Sequence, residues 1–387
     1  MEWFTACPYP TAERRGHVGI SLGKIQNRGV GSANVARQSA NARPNLFNKM
    51  TKKTGNIFPA IVNDESADAG LHNAANGKHW QHCVQKVKAD WPNIRRNIEN
   101  SLWEHTFTTS PYKIKTIFEP KQRDIYILPF NPDRIIQNML MRATIPIWTP
   151  LLIPETYACI ENRGQHKAST RLMEMVRLNK FCLQCDVRKF YPSLWHDSLY
   201  ELVCWKIKCK DTRWLFRDII YSVPGGQMAP IGNYTSQWLG TIAMNVIDQQ
   251  VKHKYRVKDY IRYCDDFLFF SNDKGMLREL QTSMPEILWS ALKLKLSKNN
   301  LFRTSQGVDF LGYVHFPEGY ILLRKRTAKR VKQRVAQLEY DLRHGKITRE
   351  HVQGSLASTM GWLKWANCHN LTMSLDIKRL MEAIRNE

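Results

Sequence analysis

The sequence Tyr263-Cys264-Asp265-Asp266 places two adjacent carboxylates between two short, largely apolar runs, 260–263 and 267–271. This pattern predicts a tight hairpin with the aspartates at its tip. Adjacent carboxylates in apolar surroundings repel each other and lose hydration, and a divalent cation relieves both effects. An isolated pair has a simpler explanation, because aspartate is a good turn residue. The rest of the chain must decide between these interpretations.

A second apolar run, 181–185, ends at Asp186. If the two strands are neighbours in one antiparallel sheet, Asp186 and Asp265 come together at the same end. Carboxylates with room for water suit Mg²⁺, and two such ions about 4 Å apart can activate a hydroxyl and neutralise a leaving pyrophosphate. The sequence therefore predicts a site for nucleotidyl transfer.

The 387-residue chain has 57 Lys and Arg residues against 34 Asp and Glu residues, a net charge of +23. A polyanion neutralises such an excess, so nucleic acid is the first partner to expect and an anionic membrane surface the second. The chain contains no run of about 18 apolar residues, and its first residues show no signal-peptide pattern. Nine scattered cysteines indicate reduced thiols and a cytoplasmic location. Cys182 and Cys185 fall on opposite faces of a predicted strand, which argues against a metal site there.

Periodicity and turn residues divide the chain into an unstructured start and an ordered remainder. Residues 1–49 are basic, rich in Gly, Ser and Asn, and lack an apolar period, which predicts a disordered extension. The predicted elements are strands at 112–118, 124–128 and 181–187, helices from Pro132, near 198–222, at 234–255 and near 276–294, and a strand ending at 310–313. The last seventy residues are predicted to be helical and are very basic.

Several boxes in this sequence resemble those of reverse transcriptases and occur in the same order. The box 263–266, with Asp186 and Phe190-Tyr191 upstream, resembles the palm. Residues 119–123 together with 133–137 resemble the fingers segment of these enzymes. Residues 155–166 resemble the box that follows it, and residues 310–313 resemble the primer grip. The resemblance runs from Met50 to the C-terminus. It implies an α+β right-hand polymerase, with fingers at 50–180, a palm of antiparallel sheet and helices at 181–313, and a basic helical thumb at 314–387.

One segment narrows the resemblance. Most bacterial reverse transcriptases carry Gln-Gly-x-x-x-Ser-Pro where this chain has Ile231-Gly232-Asn233-Tyr234-Thr235-Ser236-Gln237. With isoleucine and glutamine at its two ends, this segment is similar to the corresponding segment in the reverse transcriptases of diversity-generating retroelements. Because isoleucine offers only shape where glutamine can hydrogen-bond the nucleotide, base discrimination is expected to fall by about 1–3 kcal/mol, roughly 10–200-fold.

The resemblance implies a mutagenic role for the polymerase. It would copy a structured RNA containing a template repeat into cDNA, with errors mainly at template adenines, and the cDNA would replace a variable repeat. Expected partners are the template RNA, the RNA/DNA duplex, dNTPs and a small, basic, oligomeric accessory variability protein. The gene would be bacterial or phage-encoded. Met50 is a candidate true start, because the template repeat often lies just upstream of the polymerase gene.

The resemblance also assigns roles residue by residue. The catalytic carboxylates are Asp186, Asp265 and Asp266, and with Val187 they form the set for two Mg²⁺ ions, which Mn²⁺ could replace. Tyr191 matches the steric gate that excludes the ribose 2′-hydroxyl. The other nucleotide contacts would be Lys121, Arg123, Ile231, Gly232 and Gln237. Template and primer contacts would be Arg134, Arg163, Arg324, Lys325, Lys329 and Arg330, several of them in a basic run where phosphate tracking is expected.

The sequence leaves two alternative functions open and departs from the family pattern at one position. The chain could be a retron-like or intron-like reverse transcriptase of ordinary fidelity, against which Ile231 and Gln237 argue. It could also be an RNA-binding scaffold with a decayed site, although all three aspartates and Tyr191 are present. Asn300 stands where many polymerases place a lysine that protonates pyrophosphate, and Lys298 lies two residues early, which predicts a slow enzyme unless Lys298 substitutes.

Overall fold

The computed structural model describes residues 52–118 and 122–375. The predicted extension 1–49 and Lys121 lie outside these described residues. The described helices are α1 (Phe58–Ile61), α2 (Asp64–Ala75), α3 (His82–Ala89), α4 (Trp91–Trp103), α5 (Ile135–Trp148), α6 (Gln165–Leu178), α7 (Phe190–Ser193), α8 (His196–Lys206), α9 (Lys210–Tyr221), α10 (Tyr234–His253), α11 (Lys274–Leu292), α12 (Lys325–Arg343), α13 (Arg349–Leu363) and α14 (His369–Ser374).

The described strands form three antiparallel sheets. They are β1 (Lys113–Ile117), β2 (Arg123–Ile127), β3 (Phe181–Val187), β4 (Asp259–Tyr263), β5 (Asp266–Ser271), β6 (Leu296–Arg303), β7 (Val308–Phe310), β8 (Tyr313–His315) and β9 (Ile321–Leu323). β1 and β2 form a hairpin, the central sheet has the order β4-β5-β3-β6, and the third sheet has the order β7-β8-β9. The mixture of helices and antiparallel sheets confirms the predicted α+β class.

The chain divides into two compact units. The first comprises Met1–Trp148, Leu194–Leu239 and Ser290–Lys293, and the second comprises Thr149–Ser193, Gly240–Trp289 and Leu294–Glu387. The first unit contains the β1–β2 hairpin, and the second contains both larger sheets. The finer division into fingers, palm and thumb stays a prediction.

The central sheet is buried because its middle strands are apolar on both faces. In β5, Phe267, Leu268, Phe269 and Phe270 are all buried, which explains the continuous apolar run in the sequence. Helix α6 and strand β7 contribute side chains to a core cluster with this sheet. The cluster consists of Ala168, Leu172, Met175, Val176, Cys182, Ile261, Leu268, Phe270, Val308 and Phe310.

Two element boundaries differ from the sequence prediction. The helix expected from Pro132 becomes regular only at Ile135, after a wide helical turn in which Asn131 is extended (φ −116°, ψ 133°). A residue before proline avoids the helical region, which explains this irregular entry. The strand expected to end in 310–313 is present as β7 but stops at Phe310, because Leu311 (φ 55°) and Gly312 (φ 87°) form the turn between β7 and β8. A two-residue hairpin turn with positive φ at both positions matches the right-handed twist of its strands.

The C-terminal helices α12 and α13 pack through a small apolar core of their own. Its buried members are Val335, Leu338, Val352, Leu356 and Leu363. Thr348 caps α13 by accepting a hydrogen bond from the backbone N–H of His351 at 3.3 Å. Within the described part of the chain, no helix combines the length and apolar character needed to cross a bilayer.

The buried His315 on β8 is expected to make the free energy of unfolding sensitive to acid. Its ring is fully buried, with Nε2 2.7 Å from the Ser169 hydroxyl, and burial lowers its pKa to about 4. The unfolded chain therefore binds a proton between about pH 6.5 and 4 that the folded chain does not, so stability falls as pH falls through this window. We expect a loss of up to about 3 kcal/mol in urea unfolding. His315→Gln should lack this part of the dependence of unfolding free energy on pH. The exposed-site control His369→Gln should keep it. Equal pH dependence in the two variants would contradict the prediction.

Candidate active site

The sheet register brings two of the three predicted carboxylates face to face. β5 lies between β4 and β3, and Asp266 pairs with Asp186 on β3 and with Tyr263 on β4. Cys264 and Asp265 form the two-residue turn between β4 and β5, and Cys264 has a φ of 59°. The sequence prediction that the two strands are neighbours is therefore confirmed, but Asp266 rather than Asp265 lies directly opposite Asp186.

The electrostatics of this pair are those of crowded carboxylates. Burial and the negative charges of Asp186 and Asp265 raise the pKa of Asp266 to about 8, while the positive charge of Lys298 opposes the shift. Asp186 also accepts a hydrogen bond from the Ser297 hydroxyl. Lys298 lies opposite Asp186 on β6, but its ammonium donates to Gln184 Oε1 at 2.6 Å. The site thus concentrates negative charge that the protein itself only partly compensates.

The donor chemistry of the site fits a hard divalent cation. Carboxylate oxygens are the ligands that Mg²⁺ prefers, and the raised pKa of Asp266 reflects burial and then the repulsion of two neighbouring carboxylates, both of which a cation would offset. Val187, assigned to the metal set from the sequence, follows Asp186 on β3 and is buried. Among the described residues, no group of three or more His, Cys, Asp or Glu side chains is arranged to hold a metal ion. The two-ion assignment therefore stays a prediction.

Tyr191 lies in the same unit as the carboxylates, on the short helix α7. Its hydroxyl is 3.5 Å from the Sγ atom of Cys264, and burial raises its pKa, which keeps the hydroxyl protonated. Gly240 on α10 leaves room for the ring, since a Cβ atom there would be 3.2 Å from Tyr191 Cε1. Phe190 beside it is buried, as expected for a core aromatic. The steric-gate role of Tyr191 stays a prediction.

The segment that carries Ile231 belongs to the other unit, where it lies along the β1–β2 hairpin. The backbone N–H of Tyr126 donates to the Ile231 carbonyl at 2.8 Å. Gly232 has a φ of 120°, and a Cβ atom there would lie 2.6 Å from the Tyr126 carbonyl oxygen. Asn233 extends the attachment by donating from Nδ2 to the Tyr112 hydroxyl at 2.8 Å. The backbone that approaches Gly232 in this structure is thus that of the hairpin.

Gly232→Ala is expected to loosen this hairpin. The methyl group would collide with the Tyr126 carbonyl, and the backbone would be held in a conformation that L residues avoid, at a cost of about 1–3 kcal/mol. Gly164→Ala is the matched control, because Gly164 has the same φ of 120° but open space around its Cβ position. Amide hydrogen exchange of Tyr126 should accelerate only in the Gly232 variant. Equal exchange rates in both variants would show that backbone strain alone matters.

The residues predicted to contact nucleic acid or the triphosphate differ in exposure and in the hydrogen bonds that they make within the protein. Arg123 is exposed at the start of β2, and Lys325, Lys329 and Arg330 are exposed on the first turns of α12. Arg134 is half-buried, which lowers its pKa, and its Nε donates to the Leu128 carbonyl at 3.2 Å. Arg163 donates to the carbonyls of Ile153, Pro154 and Thr156. Arg324 pairs with Asp309. Gln237 on α10 is half-buried. All these roles stay predictions.

Several residues that contact the predicted site residues were not predicted from the sequence. Ser297 at Asp186 and Tyr126 at Gly232 carry no sequence signal, because their contacts join distant parts of the chain. Arg262 did carry one. It is a charged residue in an apolar strand directly before the 263–266 box, and such a residue needs a buried partner. The structure supplies that partner as Asp248.

Comparison with known proteins shows the family of the chain. No curated protein sequence matches the chain significantly. The family model described as reverse transcriptase (RNA-dependent DNA polymerase) matches residues 93–315, more than half of the chain. The match includes all three carboxylates, Tyr191 and the Ile231 segment. Members of this family bind template nucleic acid and dNTPs and generally use divalent metal ions such as Mg²⁺. The chain therefore belongs to the reverse transcriptase family and is an RNA-directed DNA polymerase.

Proposed function

We propose that this reverse transcriptase is the error-prone polymerase of a diversity-generating retroelement. It copies a template-repeat RNA into cDNA that carries errors mainly at template adenines, and the cDNA replaces a variable repeat. The observation that carries the proposal is the segment from Ile231 to Gln237. The Tyr126 N–H donates to the Ile231 carbonyl, which fixes the backbone of this segment. At the proposed nucleotide contact, the Ile231 side chain would offer shape but no hydrogen-bonding group.

The chemistry follows from the carboxylates. Asp186, Asp265 and Asp266 are proposed to hold two Mg²⁺ ions, which lower the barrier to attack by a primer 3′-hydroxyl and neutralise the leaving pyrophosphate. Tyr191 is proposed to exclude the ribose 2′-hydroxyl, and Arg123 with Lys121 to bind the triphosphate, for which a guanidinium fork is well suited. The exposed cations of α12, Lys325, Lys329 and Arg330, are proposed to follow the phosphates of the template–primer duplex.

The loss of a polar constraint supports low fidelity but not the choice of base. An interaction that strengthens only for the correct pair contributes discrimination of roughly 10–200-fold, and isoleucine cannot supply it. The preference for template adenines rests on the resemblance alone. The same holds for the accessory variability protein, whose association with so basic a chain should depend on RNA and be sensitive to salt and to RNase.

The test is RNA-templated primer extension with Mg²⁺ and dNTPs, followed by sequencing of the products. We expect errors concentrated at template adenines, and Ile231→Gln should lower the overall error rate by roughly 10–200-fold. Asp265→Ala is the inactive control. Faithful cDNA from the unaltered chain would instead identify a retron-like or intron-like enzyme. If the chain alone gives no product, the same assay is repeated with the structured RNA and the accessory protein.

A further inference from the structure

A buried ion pair lies directly behind the turn that carries Asp265. Arg262, the residue before Tyr263 on β4, and Asp248 on α10 are both fully buried. The Arg262 guanidinium donates two hydrogen bonds to the Asp248 carboxylate, from Nη2 to Oδ2 at 2.6 Å and from Nε to Oδ1 at 2.8 Å. This geometry fixes the guanidinium plane, because two parallel hydrogen bonds leave it no freedom to rotate.

The surroundings of the pair hold it in one arrangement. Asp248 also accepts hydrogen bonds from the Tyr260 hydroxyl at 2.7 Å and from Thr156 Oγ1 at 3.0 Å. The backbone of Arg262 is fixed as well, since its N–H donates to the Glu155 carbonyl and its carbonyl accepts from the Tyr157 N–H, both at 3.0 Å. Both the side chain and the main chain of Arg262 are therefore anchored.

The remaining edge of the guanidinium reaches the catalytic turn. Arg262 Nη1 donates to the main-chain carbonyl of Cys264 at 2.8 Å. Cys264 has a positive φ of 59°, which is unusual for a residue other than glycine, and the peptide bond that starts at its carbonyl leads into Asp265. The contact therefore fixes the orientation of the peptide that precedes the first carboxylate of the pair.

Stability alone does not explain this network. Removing two charges from water costs about as much as their attraction returns, and apolar side chains of the same volume often stabilise a core equally well. A guanidinium offers what an apolar side chain cannot, a directed hydrogen bond to one carbonyl from a fixed position. Metal sites depend on such outer contacts to orient the groups that bind the ion.

We propose that Arg262, held by Asp248, is a positioning residue that sets the catalytic turn so that Asp265 and Asp266 face the metal ions in the productive direction. The inference rests on the proposed roles of these two carboxylates. It predicts that loss of the Arg262–Cys264 contact weakens metal use and turnover, while binding of dNTP and of the template–primer duplex is unchanged.

The test compares Arg262→Lys with Tyr260→Phe in primer extension as a function of Mg²⁺ concentration. Lysine keeps a positive charge beside Asp248 but lacks the planar fork that reaches both Asp248 and the Cys264 carbonyl. We expect kcat to fall roughly 10–100-fold and the Mg²⁺ concentration for half-maximal activity to rise by a similar factor, with the dNTP KM unchanged. Tyr260→Phe removes one donor to the same carboxylate, leaves the Cys264 contact in place and should keep the original Mg²⁺ requirement.

Rates are normalised to the active fraction measured by a single-turnover burst, so that partial unfolding does not imitate a catalytic defect. If Arg262→Lys does not fold, the double variant Arg262→Gln with Asp248→Asn takes its place, because it leaves no buried charge unpaired and also loses the Cys264 contact. Mg²⁺ should also raise stability in urea unfolding less for Arg262→Lys than for Tyr260→Phe. Equal stabilisation by Mg²⁺, or an Mg²⁺ requirement equal to that of Tyr260→Phe, would overturn the proposal. Activity retained by Asp265→Asn would instead overturn the catalytic assignment itself, so the two failures are distinguishable.

Discussion

Asp266→Asn is expected to abolish DNA synthesis and, without Mg²⁺, to make the folded chain more stable. Removing a carboxylate proposed to hold the metal ions should cost several kcal/mol of transition-state stabilisation, a loss of roughly 10³-fold or more in kcat. The gain in stability arises because burial and two neighbouring carboxylates raise the pKa of Asp266 to about 8. The folded chain therefore holds a proton that the unfolded chain releases near pH 4, and stability is lost as pH rises from about 4 to 8.

Urea unfolding in EDTA at pH 5, 7 and 9 measures this effect. The advantage of Asp266→Asn over the unaltered chain should grow with pH and reach a few kcal/mol at pH 9. Mg²⁺ should stabilise the unaltered chain and have a smaller effect on the variant, because an ion that binds only the folded state raises stability by mass action. The exposed-site control Glu104→Gln should show neither effect. A stability difference that does not change with pH would contradict the prediction.

Asp248→Ala is expected to be the most destabilising single substitution considered for this chain. It leaves the fully buried Arg262 guanidinium without its counter-ion and the Tyr260 hydroxyl without its acceptor. Breaking a buried pair from one side costs about 3–5 kcal/mol, a large share of the stability of an ordinary domain. Urea denaturation followed by circular dichroism gives the change in the free energy of unfolding.

Two controls separate the buried charge from other causes. Arg262→Met combined with Asp248→Leu removes both charges and should recover much of the loss, because apolar side chains replace buried pairs at little cost. Glu339→Ala breaks the exposed pair with Arg343 and should cost less than about 1 kcal/mol. If Asp248→Ala cost no more than Glu339→Ala, the buried pair would not be the structural anchor described above.

Much of the fold could be predicted from local sequence. The run from Phe181 to Val187 is a strand at the predicted residues, and α10 and α11 lie within about two residues of the helices expected there. These elements were predictable because their apolar periodicity follows from burial of one face or of both faces. The strand expected to end at 310–313 stops at Phe310 for a local reason, since the turn needs positive φ at Leu311 as well as at Gly312.

The site was only partly predictable. The sequence predicted the candidate carboxylates because Asp265 and Asp266 interrupt an apolar pattern and Asp186 ends another. Which of them oppose each other depended on strand register, where a shift of one residue exchanges Asp266 for Asp265. The close approach of Tyr126 to Gly232 depended on how two segments a hundred residues apart pack together, and no local pattern encodes that distance.

The sequence by itself determined the chemistry that this protein carries: the acidic box, the basic charge, the order of the boxes and the family to which they belong. These features are properties of residue types and their spacing, which a linear chain already contains. The tertiary structure alone decided that Asp266 faces Asp186, that Lys298 donates to Gln184, and that Arg262 holds the Cys264 carbonyl while paired with Asp248. Each of these depends on register and packing between distant segments, where directed hydrogen bonds and burial act only after the chain has folded.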